Sequence, residues 1–188
     1  GMESNYVSLK DTINVSFGHD YDYEDVQQKV LISEKTIFNG QNYVDTETKL
    51  FDEDRDFVLL VDYKIDSKSP QSSVIAQCYQ TDGTNGFRIW NNSGAKISWS
   101  TASTTATFGN REVTVLRHKK GENGIHVYSS NLSGDSSTYI ELSRNRSTIT
   151  DSTLVFGCSK ADDGAYENYA IGEVYWSKLW FTDLGDAA

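Results

Sequence analysis

The chain has 188 residues and a formal net charge of −10 at pH 7, with 37% hydrophobic and 12% aromatic residues. This length predicts one globular domain and excludes a large multidomain enzyme. The excess of acid opposes binding to nucleic acid and to anionic membrane surfaces, because phosphate recognition needs a basic face. No apolar stretch is long enough to span a bilayer, so we expect no membrane insertion.

The first 35 residues are polar and acidic, with weak periodicity. We interpret residues 1–35 as an N-terminal lead-in, either an edge strand or a connector, ahead of a main domain at 36–188. Within it, residues 21–35 fit a helix through the spacing of Val26 and Val30, whereas Val30-Leu31-Ile32 suits a strand. The start of the chain, Gly1-Met2, resembles a tag-cleavage remnant and has no signal-peptide pattern, and we expect an extracellular, cell-surface or virion location.

Beyond this lead-in the apolar residues recur with a period of two, which predicts strands. The clearest run places alternate residues from Phe57 to Ile65 on one face and turns Asp62 and Lys64 outward. Further strands are predicted at Val74 to Tyr79, Gly86 to Trp90, Lys96 to Trp99, Glu112 to Leu116, Ile125 to Ser129, Leu154 to Cys158 and Ile171 to Phe181. Short strands joined by Gly-, Asn- and Asp-rich turns predict an all-β fold, a two-sheet antiparallel β-sandwich.

The two cysteines, Cys78 and Cys158, lack metal-ligand spacing. Both lie in apolar, strand-like runs. We expect buried thiols, with a disulfide between the two as the alternative.

An ordered set of short motifs carries a family resemblance. It runs through Phe38-Asn39-Gly40, Tyr43-Val44-Asp45-Thr46, Gly86-Phe87-Arg88-Ile89, Ile125-His126-Val127-Tyr128 and the ending from Gly172 to Trp180. Over residues 36–185 the chain resembles the concanavalin A-like lectin/glucanase superfamily, specifically its laminin-G-like jelly-roll domains. Two stretches, residues 116–121 and 178–186, also resemble jelly-roll modules of phage and prophage tails.

The last strand of this family has inward positions that match Val174, Ser177 and Leu179. Their spacing of three and then two residues breaks strict alternation. This spacing predicts a β-bulge.

Catalysis is not expected. Superfamily members that cleave glucans use a Glu-x-Asp-x-x-Glu strand, which supplies two carboxylates on one face. That pattern is missing from this sequence. A glycoside hydrolase or lyase with a carboxylate pair from distant strands remains an alternative.

Aromatic and polar side chains on the faces opposite the apolar residues predict a binding site, because flat rings stack on sugars. Strand alternation sets Arg88 and Trp90 on one such face and His126 and Tyr128 on another, and we expect the four to line one outer groove. Two aromatic residues near the predicted bulge complete the expected ligand-binding set, which is Arg88, Trp90, His126, Tyr128, Tyr166 and Trp176.

Calcium is the one cofactor expected, since the resemblance implies Ca²⁺ at a sandwich rim and oxygen ligands are plentiful. Two acidic clusters are candidate metal sites. The first contains Asp162, Asp163, Glu167 and Asn168, and the second contains Asp20, Asp22 and Glu24.

The sequence therefore favours a non-catalytic module whose partner is a glycan or another cell-surface ligand. The alternative is a structural or host-contact part of a phage tail, whose partners would be neighbouring subunits. Fold alone does not separate these functions, because similar sandwiches serve all of them.

Overall fold

A computed structural model describes residues 28–79, 86–99, 102–105, 108–129, 136–141 and 152–181. All regular secondary structure in these ranges is β-strand, as the alternation predicts, and none of it is a helix that could cross a membrane. The strands are β1 (Gln28–Ile32), β2 (Thr36–Asn39), β3 (Val44–Lys49), β4 (Phe57–Ile65), β5 (Val74–Tyr79), β6 (Gly86–Asn91), β7 (Ala95–Trp99), β8 (Ala102–Thr105), β9 (Glu112–His118), β10 (Gly124–Ser129), β11 (Ser136–Glu141), β12 (Thr153–Phe156), β13 (Ser159–Lys160), β14 (Tyr166–Glu167) and β15 (Ile171–Trp180).

The strands form two antiparallel sheets, which confirms the predicted sandwich. The seven-stranded sheet has the order β1-β15-β4-β9-β10-β11, with β2 also paired to β15. The six-stranded sheet has the order β3-β12-β5-β6-β7-β8. Strands β13 and β14 form a separate short hairpin.

The main core lies between the two sheets. Leu59 and Leu116 from the seven-stranded sheet and Ile89 and Phe156 from the six-stranded sheet are all 0% exposed in one cluster. Full burial of such a side chain contributes roughly 1.5–3 kcal/mol. Contacts across the core therefore hold the sheets together.

A second apolar cluster covers the opposite, outer face of the seven-stranded sheet. It joins Val58 and Leu60 of β4 to Val115, Trp176 and Trp180, with exposures between 0% and 8%. Since these side chains are buried, the centre of that outer face is closed to solvent.

Strand β15 contains the predicted bulge. Its register against β4 shifts between Val174 and Trp176. Val174 and Leu179 enter the main core, and Ser177 is buried and donates a hydrogen bond to the Leu60 carbonyl at 2.7 Å. The bulge thus keeps Val174 and Leu179 inward while Trp176 joins the outer cluster.

Strand β1 lies inside the segment interpreted as a lead-in. Residues 28–32 pair with the end of β15, so this part is a strand at the sheet edge and not a helix. Residues 1–27 are outside the described residues. The division at residue 35 stays a prediction.

Cys78 and Cys158 are buried and free. Burial raises the pKa of each thiol to about 12. Both therefore behave as small core side chains, and the disulfide alternative is not realised in this structure.

Candidate ligand-binding site

A row of outward-facing residues crosses the six-stranded sheet. Val155 lies opposite both Asp45 and Gln77, Gln77 lies opposite Arg88, and Arg88 lies opposite Ser98. Directly paired residues of antiparallel strands share a face. The five side chains therefore lie on the outer face, with the core-facing Ile89 and Phe156 beneath them.

Arg88 is the centre of the candidate site. Its guanidinium carbon lies 3.4 Å from the Trp90 ring centroid and 4.6 Å from the Tyr79 ring centroid. The Nε atom is buried without a hydrogen-bond partner, and no acid in the described ranges forms an ion pair with this side chain. Burial lowers the pKa of Arg88. The site therefore contains a cation whose charge the described residues do not neutralise.

The side chains around Arg88 are held in place. The Trp90 Nε1 atom donates a hydrogen bond to Ser98 Oγ at 2.8 Å. The Gln77 Nε2 atom donates to the Lys160 carbonyl at 3.3 Å, which ties the sheet to the β13–β14 hairpin. Fixed rings and amides are suited to binding, since little side-chain freedom is lost when a ligand arrives.

The β13–β14 hairpin brings Tyr166 to the same outer face. Its hydroxyl donates to Asp45 Oδ2 at 2.8 Å, and Lys160 Nζ donates to the same oxygen at 3.0 Å. The bond to Asp45 raises the pKa of Tyr166. Burial alone would raise the pKa of Asp45, but the hydrogen bonds from Glu47, Tyr166 and Lys160 outweigh it and lower that pKa.

The other predicted ligand-binding residues lie on the opposite side of the molecule. His126 and Tyr128 belong to β10 of the seven-stranded sheet and face away from Ile125 and Val127. Arg88 and Trp90 face outward from the other sheet. The prediction that these four side chains line one groove is wrong, because the core separates the two pairs.

Neighbouring groups on the outer face of the seven-stranded sheet already engage these residues. His126 Nε2 lies 2.8 Å from Glu122 Oε2, and its ring lies 4.6 Å from that of Tyr139. Tyr128 packs against the outer apolar cluster, to which Trp176 belongs at 8% exposure. A ligand role for these three residues stays a prediction.

A second arginine site on that face serves as a comparison. Arg111 stacks on Tyr175 at 3.9 Å, as Arg88 does on its rings. Arg111 also donates to both carboxylate oxygens of the buried Asp62, at 2.9 and 2.7 Å. Arg111 thus has an acid partner, whereas Arg88 has none in the described ranges.

The acidic loop proposed for calcium does not gather into a metal-binding group. Asp162, Asp163 and Glu167 are exposed, and Asn168 donates to Ser159 Oγ at 3.0 Å. In the part of the chain that the structure describes, no three His, Cys, Asp or Glu side chains could hold a metal ion together. The other candidates, Asp20, Asp22 and Glu24, lie outside the described residues.

Gln77, Tyr79, Asp45 and Lys160 are parts of the site that the sequence analysis missed. The outward orientation of Gln77 and Tyr79 could have been predicted from the sequence, because they alternate with the core residues Ala76 and Cys78 along β5. Asp45 lies on a polar edge strand without a clear apolar pattern.

Comparison with known proteins finds likeness in structure but not in sequence. No family model and no curated protein sequence matches the chain. Among solved structures, the CBM40 carbohydrate-binding module of the Ruminococcus gnavus IT-sialidase, bound to α2,6-sialyllactose, has a TM-score of 0.57 at 11% identity. That match covers 85% of this chain and 94% of the module.

Two larger sialidases match over part of their length. The NanB sialidase of Streptococcus pneumoniae has a TM-score of 0.59 at 11% identity, and the match covers 85% of this chain but 27% of that one. The leech intramolecular trans-sialidase has a TM-score of 0.57 at 13% identity, and 27% of its chain is covered. At these identities the likeness shows a shared β-sandwich fold.

Proposed function

We propose that the chain is a non-catalytic carbohydrate-binding module that holds a glycan through a carboxylated sugar at Arg88. The observation that carries the proposal is the half-buried Arg88 guanidinium, stacked on Trp90 and Tyr79 and without an acid partner in the described ranges. A buried charge without a partner costs free energy. An incoming carboxylate would supply that partner and accept charge-assisted hydrogen bonds.

The surroundings of Arg88 suit a sugar. The half-buried Trp90 offers ring surface on which the apolar side of a pyranose can stack. The buried side chains of Tyr79 and Gln77 support this surface from within the sheet face. The opposite face of the sandwich is less suited, because its stacked arginine, Arg111, is already paired with Asp62. We therefore propose the six-stranded sheet as the place of the site.

The fold comparison supports a glycan ligand. The Ruminococcus gnavus modules with this fold are solved bound to α2,6- and α2,3-sialyllactose, which carry a carboxylated sugar. We also propose that the sandwich is a laminin-G-like jelly roll, which is compatible with a glycan ligand. The structural neighbours give the phage-tail alternative no support, and no observation in the described ranges favours the hydrolase alternative. Calcium binding remains a prediction from the sequence.

Isothermal titration calorimetry with α2,6-sialyllactose and lactose tests the proposal. We expect the wild-type chain to bind sialyllactose and to bind lactose at least tenfold more weakly, since one charge-assisted contact contributes about 1.5–3 kcal/mol. Arg88→Lys keeps the charge but loses the planar fork, and we expect about tenfold weaker binding of sialyllactose. Arg111→Lys on the opposite face is the matched control and should bind like the wild type.

Two results would contradict the proposal. One is equal affinity of the wild type and Arg88→Lys for sialyllactose. The other is failure of the folded wild type to bind either sialyllactose or an oligosaccharide that ends in a uronic acid.

A further inference from the structure

Two stacked tyrosines lie at the β3 edge of the six-stranded sheet. The rings of Tyr43 and Tyr166 have centroids 4.0 Å apart and planes inclined by 22°. Tyr43 is nevertheless 41% exposed, so part of its ring is open to solvent. Tyr169 lies 6.3 Å from Tyr43 and tilts against it.

This pair is anchored through Asp45. One oxygen of Asp45 accepts hydrogen bonds from the Tyr166 hydroxyl and Lys160, and the other accepts the Glu47 backbone N–H at 2.9 Å. The carboxylate is thus occupied in holding Tyr166, against which Tyr43 stacks. An exposed ring with a fixed orientation is a suitable stacking surface, because binding costs little ordering.

The pair belongs to the same face as Arg88. Asp45 and Arg88 lie in one cross-strand row, with β12 and β5 between their strands. Three strand spacings separate them by about 14 Å. A single sugar is too short to contact both Arg88 and the tyrosine pair, whereas an oligosaccharide can span the distance between them.

We propose that the Tyr43–Tyr166 pair is a second sugar contact of the glycan anchored at Arg88, so that the ligand class is an acidic oligosaccharide. The inference rests on the proposed function, because Arg88 supplies the anchor. It adds that a neutral sugar, away from the acidic end, stacks on the exposed ring of Tyr43. If the tyrosine pair only covers the sheet edge, ligand length will not matter.

The test compares a short and a long ligand, which are a sialylated disaccharide and a sialylated pentasaccharide that contains it. We expect Tyr43→Ala to weaken pentasaccharide binding about three- to tenfold and to leave disaccharide binding unchanged. Tyr43→Phe keeps the ring and should bind both ligands like the wild type. Tyr139→Ala is the matched control, since Tyr139 is also 41% exposed but lies on the other sheet.

The failures of the two proposals are distinguishable. If Arg88→Lys weakens both ligands while Tyr43→Ala weakens neither, or weakens both equally, the tyrosine contact is wrong and the Arg88 site stands. If the wild type binds neither ligand, both proposals are overturned. Thermal denaturation of each variant checks that the fold is intact.

Discussion

Gly157 gives a stability prediction with an internal control. It follows β12 and has a φ of +88°, a left-handed conformation that side chains with a Cβ rarely adopt. A Cβ at this position would lie 2.2 Å from Phe38 Cδ1 and 2.5 Å from Cε1. Gly121 has the same φ of +88°, but nothing lies within 4 Å of a Cβ placed there. Substituting both glycines with alanine therefore separates the crowding from the backbone conformation.

The expected costs follow from these two contributions. The left-handed conformation costs an alanine roughly 1–2 kcal/mol, partly offset by the lower entropy of the unfolded chain, so we expect Gly121→Ala to cost about 1 kcal/mol. Gly157→Ala carries the same cost and must also displace Phe38, which is 1% exposed in the core. Overpacking adds about 1–3 kcal/mol. We therefore expect Gly157→Ala to cost about 2–4 kcal/mol.

Urea denaturation followed by tryptophan fluorescence measures both free energies of unfolding. Equal losses in the two variants would refute the reasoning, because the contact with Phe38 would then contribute nothing. The change should also reach the candidate site, since the Gly157 N–H donates to Ile75 and its carbonyl accepts from Ala170, beside the β13–β14 hairpin. We expect weaker glycan binding by Gly157→Ala and unchanged binding by Gly121→Ala.

Two further predictions concern charged groups. Arg111→Ala leaves the buried Asp62 carboxylate without its bidentate partner, and we expect the free energy of unfolding to fall by about 1–2 kcal/mol. The loss is modest because Arg111 is half-exposed. A double-mutant cycle with Asp62→Asn that gives no coupling energy would refute this prediction. The pKa of Asp45 is lower in the folded chain than in the unfolded chain, where it is about 3.9. The ionised carboxylate therefore stabilises the fold above that pH, and this contribution is lost as the pH falls through the pKa of the folded state. The stability difference between the wild type and Asp45→Asn should therefore shrink below about pH 4 in acid denaturation, and a difference independent of pH would contradict this.

Local pattern was sufficient for the central strands. The alternation from Phe57 to Ile65 predicted both the bounds of β4 and its inward face. The bulge in β15 was also predicted, from the uneven spacing of the three residues that match inward positions of the family that the chain resembles. Edge strands such as β3, with the sequence Val-Asp-Thr-Glu-Thr-Lys, carry no such pattern, since they bury few side chains.

The assignment of strands to sheets could not be predicted in this way. Strands β6 and β10 have nearly the same pattern, Gly-Phe-Arg-Ile-Trp-Asn and Gly-Ile-His-Val-Tyr-Ser. Alternation correctly separates the inward and outward residues of each. It does not say which sheet a strand joins, because that depends on pairing with strands distant in sequence. For this reason Arg88 and His126 were wrongly expected to share one groove.

The charge of Arg88, which no acid in the described ranges neutralises, also bears on how the protein responds to heat. If the proposed carboxylated ligand binds the folded chain and not the unfolded one, it will raise the melting temperature roughly with the logarithm of its concentration above its Kd. A rise in melting temperature with sialyllactose that is larger in the wild type than in Arg88→Lys would therefore report on the occupancy of this arginine.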